Sequence, residues 1–161
     1  MIKFLFFLQL LLVSNVYSLE LKCAFEEVYS DGSVQNGFFL IKGKKLRYEY
    51  NSDDLFTIFH NDERFFLVKN NNKEIISAIN ENTEIIKEIL NIANNFPNVK
   101  KEYMSENLNI KLEKNANGNF FKRISILSSK INMSIYLNDC QNSKIKSRFF
   151  IHNPFFDYKF N

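Results

Sequence analysis

"GFFLIKGKKLRYEY", Gly37 to Tyr50, is the stretch on which the reading of the fold turns. In its second half Leu46, Tyr48 and Tyr50 share one phase, and Lys45, Arg47 and Glu49 share the other. Successive side chains on a strand point to opposite faces, so this alternation predicts a strand with an apolar and a charged face. Gly43-Lys44 sits between two such runs, where a two-residue hairpin turn is expected. The stretch therefore reads as two neighbouring antiparallel strands.

The same pattern spreads outward. "LELKCAFEEVYS" ends at the turn signal Asp31-Gly32, and "VQNGFFLIK" follows it. "DLFTIFH" and "RFFLVKN" flank Asn61-Asp62-Glu63, and "KEIISAI" follows Asn70-Asn71-Asn72. After residue 100 come "VKKEYMS", "LNIKLEK", a turn at Asn117-Gly118, "FFKRISILS", "INMSIYLN" and "KIKSRFFIH", all read as strands. The period changes once. Between Thr83 and Phe96 the apolar residues Ile85, Ile86, Ile89, Leu90, Ile92, Ala93 and Phe96 recur in helical steps. Asn82 or Thr83 can cap that helix, and Pro97 ends it. The expected class is mainly β with one main α-helix. The architecture is an incomplete, curved antiparallel β-barrel, a half-barrel with the helix packed on its concave side.

The 161 residues suit a single domain. The segment from Met1 to Ser18 has Lys3, an apolar run from Phe4 to Val13, and small-residue positions at Val16 and Ser18. This is the pattern of a cleavable signal peptide, with cleavage expected after Ser18 and residues 19–161 forming the domain. The run is shorter than the roughly 20 residues a spanning helix needs. Lys22 precedes Cys23 where a lipoprotein signal needs a small residue, so a lipidated Cys23 is not expected. In an oxidising compartment Cys23 and Cys140 either form a disulfide or remain as two buried thiols. Without Lys3 the formal charge falls from +3 to +2, far too mild a balance for a nucleic-acid surface.

No catalytic pattern stands out. His60 and His152 form no metal-spaced pair, and four glycines cannot supply a phosphate loop. Glu26 and Glu27 are strand neighbours on opposite faces, and Asp53-Asp54 reads as a turn. Neither pair is a dyad, so no metal, cofactor or enzymatic activity is expected. The aromatic residues, 18 Phe and 7 Tyr, are more telling. Phe38-Phe39, Phe65-Phe66, Phe120-Phe121, Phe149-Phe150 and Phe155-Phe156 are doublets, and a strand sends one ring of a doublet to each face. Either a core covers both faces, or one face lines a cavity that holds something apolar.

These elements, in order, resemble the LolA-type periplasmic lipoprotein carriers. The resemblance rests on Phe25 to Ser33 ending in "DGS", on Gly37 to Lys42, and on the "KLRYEY" strand from Lys45 to Tyr50. The hairpin "FTIFHNDERFFLVKNNNKEII", the helix after it and the ending "FFIHNPFFDYKF" continue it. The family's leading amphipathic helix is not seen before Phe25, and Gly43-Lys44 stands where many members carry Arg-Pro. The resemblance implies a carrier that shields the acyl chains of a lipoprotein between inner and outer membranes. A sensing or interaction module on the same scaffold is the alternative. It implies a cavity lined by Phe39, Leu46, Tyr48, Tyr50, Phe56 and Ile58, with Ile86, Ile89 and Leu90 from the helix. Lys42, Gly43, Lys44 and Arg47 would form the gating or partner turn. The implied partners are acylated lipoproteins, an inner-membrane release complex and an outer-membrane acceptor, and the chain is expected to be a periplasmic monomer.

Overall fold

A computed structural model describes residues 19–61, 64–77, 83–117 and 119–152. The expected signal segment, Asn82, Gly118, the tip of the Asn61–Glu63 turn and the Phe155-Phe156 doublet lie outside those residues. Among the described residues, ten strands form one antiparallel sheet: β1 (Glu20–Tyr29), β2 (Val34–Lys42), β3 (Lys45–Tyr50), β4 (Phe56–Asn61), β5 (Arg64–Lys69), β6 (Ile75–Ser77), β7 (Glu102–Ser105), β8 (Leu108–Lys114), β9 (Phe121–Ser128) and β10 (Asn132–Asn142). One helix, α1 (Thr83–Asn94), comes between β6 and β7. The spatial order is β6-β5-β4-β3-β2-β1-β10-β9-β8-β7, and the two outermost strands do not pair with each other. The sheet is thus a curved half-barrel that does not close, with α1 packed on its concave face.

Local chemistry sets the turns. The Asp31 carboxylate accepts from the Ser33 N–H at 2.8 Å and from its hydroxyl at 2.6 Å, fixing the β1–β2 hairpin. Gly43, with φ +55°, takes the first central position of the two-residue β2–β3 turn, where a type II′ turn needs a positive φ.

Register then sorts the side chains. Leu46 pairs with His60 and Tyr48 with Ile58, while Phe39 pairs with Tyr48 and Cys23 with Phe39. The apolar phases of β1 to β4 therefore share one face. Ile135 pairs with both Glu27 and Ile124, and Ile124 pairs with Leu112, which extends that face across β8 to β10. The main core lies there, and Leu90, Ile92 and Ala93 of α1 are buried in it. Burying an aliphatic side chain of this size stabilises by about 1.5–3 kcal/mol.

Cys23 and Cys140 are joined in a disulfide between β1 and β10, beside a register shift between Lys22 and Ala24. The first and last strands are thereby stapled at the centre of the sheet.

The last expected strand is not one. "KIKSRFFIH" contains a short 3₁₀ turn, Ser147–Phe150, that lies on the convex face. Its apolar spacing serves a second, smaller core of Leu40, Ile145 and Phe150, with Phe38 and Phe149 against it. Side chains at 145, 149 and 150 meet one face more naturally from a turn than from a pleat. The Lys42 ammonium holds the segment by donating to the Ile145 carbonyl at 2.7 Å, and the Ile145 N–H donates to Glu20 at 2.7 Å. That backbone donor is the main reason the Glu20 carboxyl titrates below its usual range.

Candidate functional site: an apolar cavity with a buried carboxylate

A cavity of about 330 Å³ lies between α1 and the concave face. This is the lower end of the roughly 300–1,000 Å³ usual for small-molecule sites. Phe39, Leu46, Tyr48, Tyr50, Phe56 and Ile58 line it from β2, β3 and β4, and Ile86 and Ile89 line it from the helix. Leu90, also expected there, is not on the wall. It is only 5% exposed and packs in the core, because a helix turns it about 100° away from Ile89. The two halves of α1 thus differ. Ile92 and Ala93 anchor its C-terminal half, while Ile85, Ile86 and Ile89 stay half-buried over the cavity.

Residues not anticipated complete the wall. Ile124 comes from β9, and Met133, Ile135 and Leu137 come from β10. Their alternation was present in "INMSIYLN", but which face it addressed depended on the β1–β10 pairing, a contact across most of the chain.

The more consequential omission is Glu27. The concave phase of β1 runs Leu21, Cys23, Phe25, Glu27, Tyr29, so the carboxylate falls among apolar residues and is 2% exposed. Its Oε1 accepts from the Tyr48 hydroxyl at 2.7 Å. Its Oε2 accepts from Tyr29 at 2.6 Å and from Tyr50 at 2.9 Å. Burial pushes the Tyr29 phenol up to about 12, helped by its bond to Glu27. Burial, then the Glu27 charge, holds Tyr48 and Tyr50 well above the usual tyrosine range. All three are therefore hydrogen-bond donors at neutral pH. Aromatic rings close around the group: Phe25 stacks on Tyr48 at 4.0 Å and meets Tyr50 edge-on at 5.5 Å, and Phe56 meets Tyr50 at 5.2 Å.

In the expected gating or partner turn, the Lys42 and Arg47 side chains make their contacts on the convex face. Strand alternation that sends Leu46 and Tyr48 inward sends Arg47 outward. There it is 5% exposed, pairs with Glu49 and lies against the rings of Phe38 and Phe59 at 5.7 and 5.5 Å. Lys42 also faces the convex side, bound to Ile145 and, at 3.1 Å, to Glu20. The Lys44 carbonyl accepts from His60 Nδ1 at 2.7 Å. Gly43 meets the helix, its carbonyl accepting from Asn94 Nδ2 at 2.9 Å.

Among the described residues, no group of three or more His, Cys, Asp or Glu side chains is placed to hold a metal ion. Among them, too, no helix is long and apolar enough to cross a membrane. No protein-family model matches the chain. A comparison with curated proteins likewise finds no match.

Proposed function

We propose that this chain is an exported binding protein without enzymatic activity that shields the acyl chains of a lipoprotein on its way from inner to outer membrane. The observation that carries the reading is the apolar cavity between a half-barrel and the aliphatic stripe of a helix. A lipidated polypeptide leaving a membrane exposes hydrocarbon at about 0.8 kcal/mol per CH₂. Ile85, Ile86 and Ile89 can exchange contact with the sheet for contact with a chain, which permits both capture and release. The half-buried N-terminal half of α1 suits a roof that lifts, while the anchored half holds its place. Export is supported by the leader-like first 18 residues and by the disulfide. On this reading the partners are acylated lipoproteins, an inner-membrane release complex and an outer-membrane acceptor, with the protein working as a periplasmic monomer.

Native mass spectrometry of the purified protein with a synthetic diacylated lipopeptide tests this. A one-to-one complex is expected, and depletion in the source cell should strand lipoproteins at the inner membrane. Failure to take up either the lipopeptide or a neutral long-chain alcohol overturns the reading. A second reading, a lipid-sensing or interaction module, is favoured by Lys42, which ends β2 beside the β2–β3 turn and whose ammonium is committed to the convex face. Lipid uptake with unaltered lipoprotein distribution on depletion would select it.

A further inference from the structure

We propose that the cavity prefers an amphiphile whose head carries a protonated amine, and that Glu27 and the rings around it receive that head. The inference rests on the acyl-chain reading and adds the chemistry of the polar end. A carboxylate offers about four lone-pair positions, and the three phenols fill three of them. One position on Oε1 is left. The phenols bring donors but no positive charge, and among the described residues no lysine, arginine or histidine forms an ion pair with Glu27. A buried carboxylate without a cation is costly in an apolar site.

An entering ammonium supplies what is missing. It brings the opposite charge and a donor for Oε1, and its remaining N–H groups can meet the phenolic oxygens. Tyr48, Tyr50 and Phe56 are among the residues lining the cavity, and aromatic rings attract a cation further when water is excluded. The chain of the same ligand would run along the Ile86 and Ile89 side of the cavity. A carboxylate or phosphate head meets the Glu27 charge and is disfavoured by like-charge repulsion. Two sources share the chemistry: the free α-ammonium of a diacylated polypeptide, and a simple lipid with an ammonium head.

The test uses the full chain and three probes of equal length, dodecylamine, dodecanol and dodecanoate, each below its micelle concentration at neutral pH. The expected order is dodecylamine at least about tenfold tighter than dodecanol, with dodecanoate weakest, since one tenfold step is about 1.4 kcal/mol. Glu27→Gln, which keeps the shape and an acceptor oxygen, should bring the three within about threefold of one another. Equal binding of all three by the unaltered chain, or a preference for dodecanoate, overturns the ammonium proposal and leaves the acyl-chain reading intact. Binding of none of them overturns the acyl-chain reading itself. A further pair, a diacylated lipopeptide with a free and with an acylated amino terminus, separates the sources. Preference for the free terminus assigns the polypeptide, and equal binding alongside the dodecylamine preference assigns the simple lipid.

Discussion

Gly37→Ala is the most demanding test of the β2–β3 geometry. A methyl group at this position would overlap the backbone carbonyl oxygen of Glu49 and lie 2.6 Å from the tip of the Phe25 ring. Real Cβ atoms essentially never come within 3.0 Å of such neighbours, so the ring must withdraw by about 0.4 Å and the Glu49 backbone by more. Overpacking of this kind costs about 1–3 kcal/mol when side chains alone give way. Here β3 must also move, weakening its ladder with β2 by about 1 kcal/mol per hydrogen bond lost. The Phe25–Tyr48 stack, worth about 0.5–1.5 kcal/mol, is disturbed as well. A total near 3 kcal/mol follows. With a urea dependence of about 1–3 kcal/mol per molar, the unfolding midpoint should fall by at least about 1 M. Phe25→Leu in the Gly37→Ala background should recover only a minor part, because the carbonyl overlap remains. A Gly37→Ala midpoint equal to the parent's would refute the close approach of these strands. Gly32→Ala provides the contrast: φ is +84° but no atom lies within 4 Å, so only the backbone term of about 1 kcal/mol is expected.

Other parts of the molecule carry expectations of their own. Ile89→Asp places a charge on the cavity roof, and uptake of a neutral amphiphile should weaken at least about tenfold, or stability should drop by a few kcal/mol; a variant equal to the parent in both would overturn the roof assignment. Replacing Cys23 and Cys140 together by Ser removes a constraint across 117 residues, for which loop entropy gives a loss of up to about 5 kcal/mol. Reductant should destabilise the parent and leave that variant unchanged in urea unfolding. Tyr29, Tyr48 and Tyr50 have folded pKa values raised above the ordinary value near 10, so the stability they contribute is complete below about pH 10 and is lost as pH rises towards and beyond 12. Tyrosinate absorbance should show a fraction of tyrosines ionising only as circular dichroism reports unfolding. Ionisation of every tyrosine near pH 10 with the fold intact would remove the cluster.

The sheet was legible because its strands obey simple alternation, and the helix because Ile85 to Ala93 do not. In β3, Leu46, Tyr48 and Tyr50 announced both the strand and the inward face. The same logic applied to β1 would have shown Glu27 in phase with Leu21, Cys23 and Phe25, the charged residue on an apolar face. Set only against its strand neighbour Glu26, Glu27 reads as half of a broken dyad, and its apolar company does not show. What sequence could not supply was non-local pairing. The β10 contribution to the wall and the Cys23–Cys140 bond both depend on β1 meeting the last strand. The C-terminal segment misled for a related reason. Its apolar residues answer to Leu40 and Phe38 on the back of the sheet rather than to a period of their own.

The strand order has a mechanical corollary. Neighbours in sequence lie side by side everywhere except between β6 and β7, which stand at opposite margins of the sheet. The chain between those margins includes α1, so the helix belongs to a belt fastened at both rims of an open shell. On the proposed carrier reading, a ligand that raised the helix would draw the rims together or flex the sheet, and its departure would let them relax. Occupancy of the interior would then be readable from outside, as a change in the separation of the exposed rim residues Ile76 and Met104.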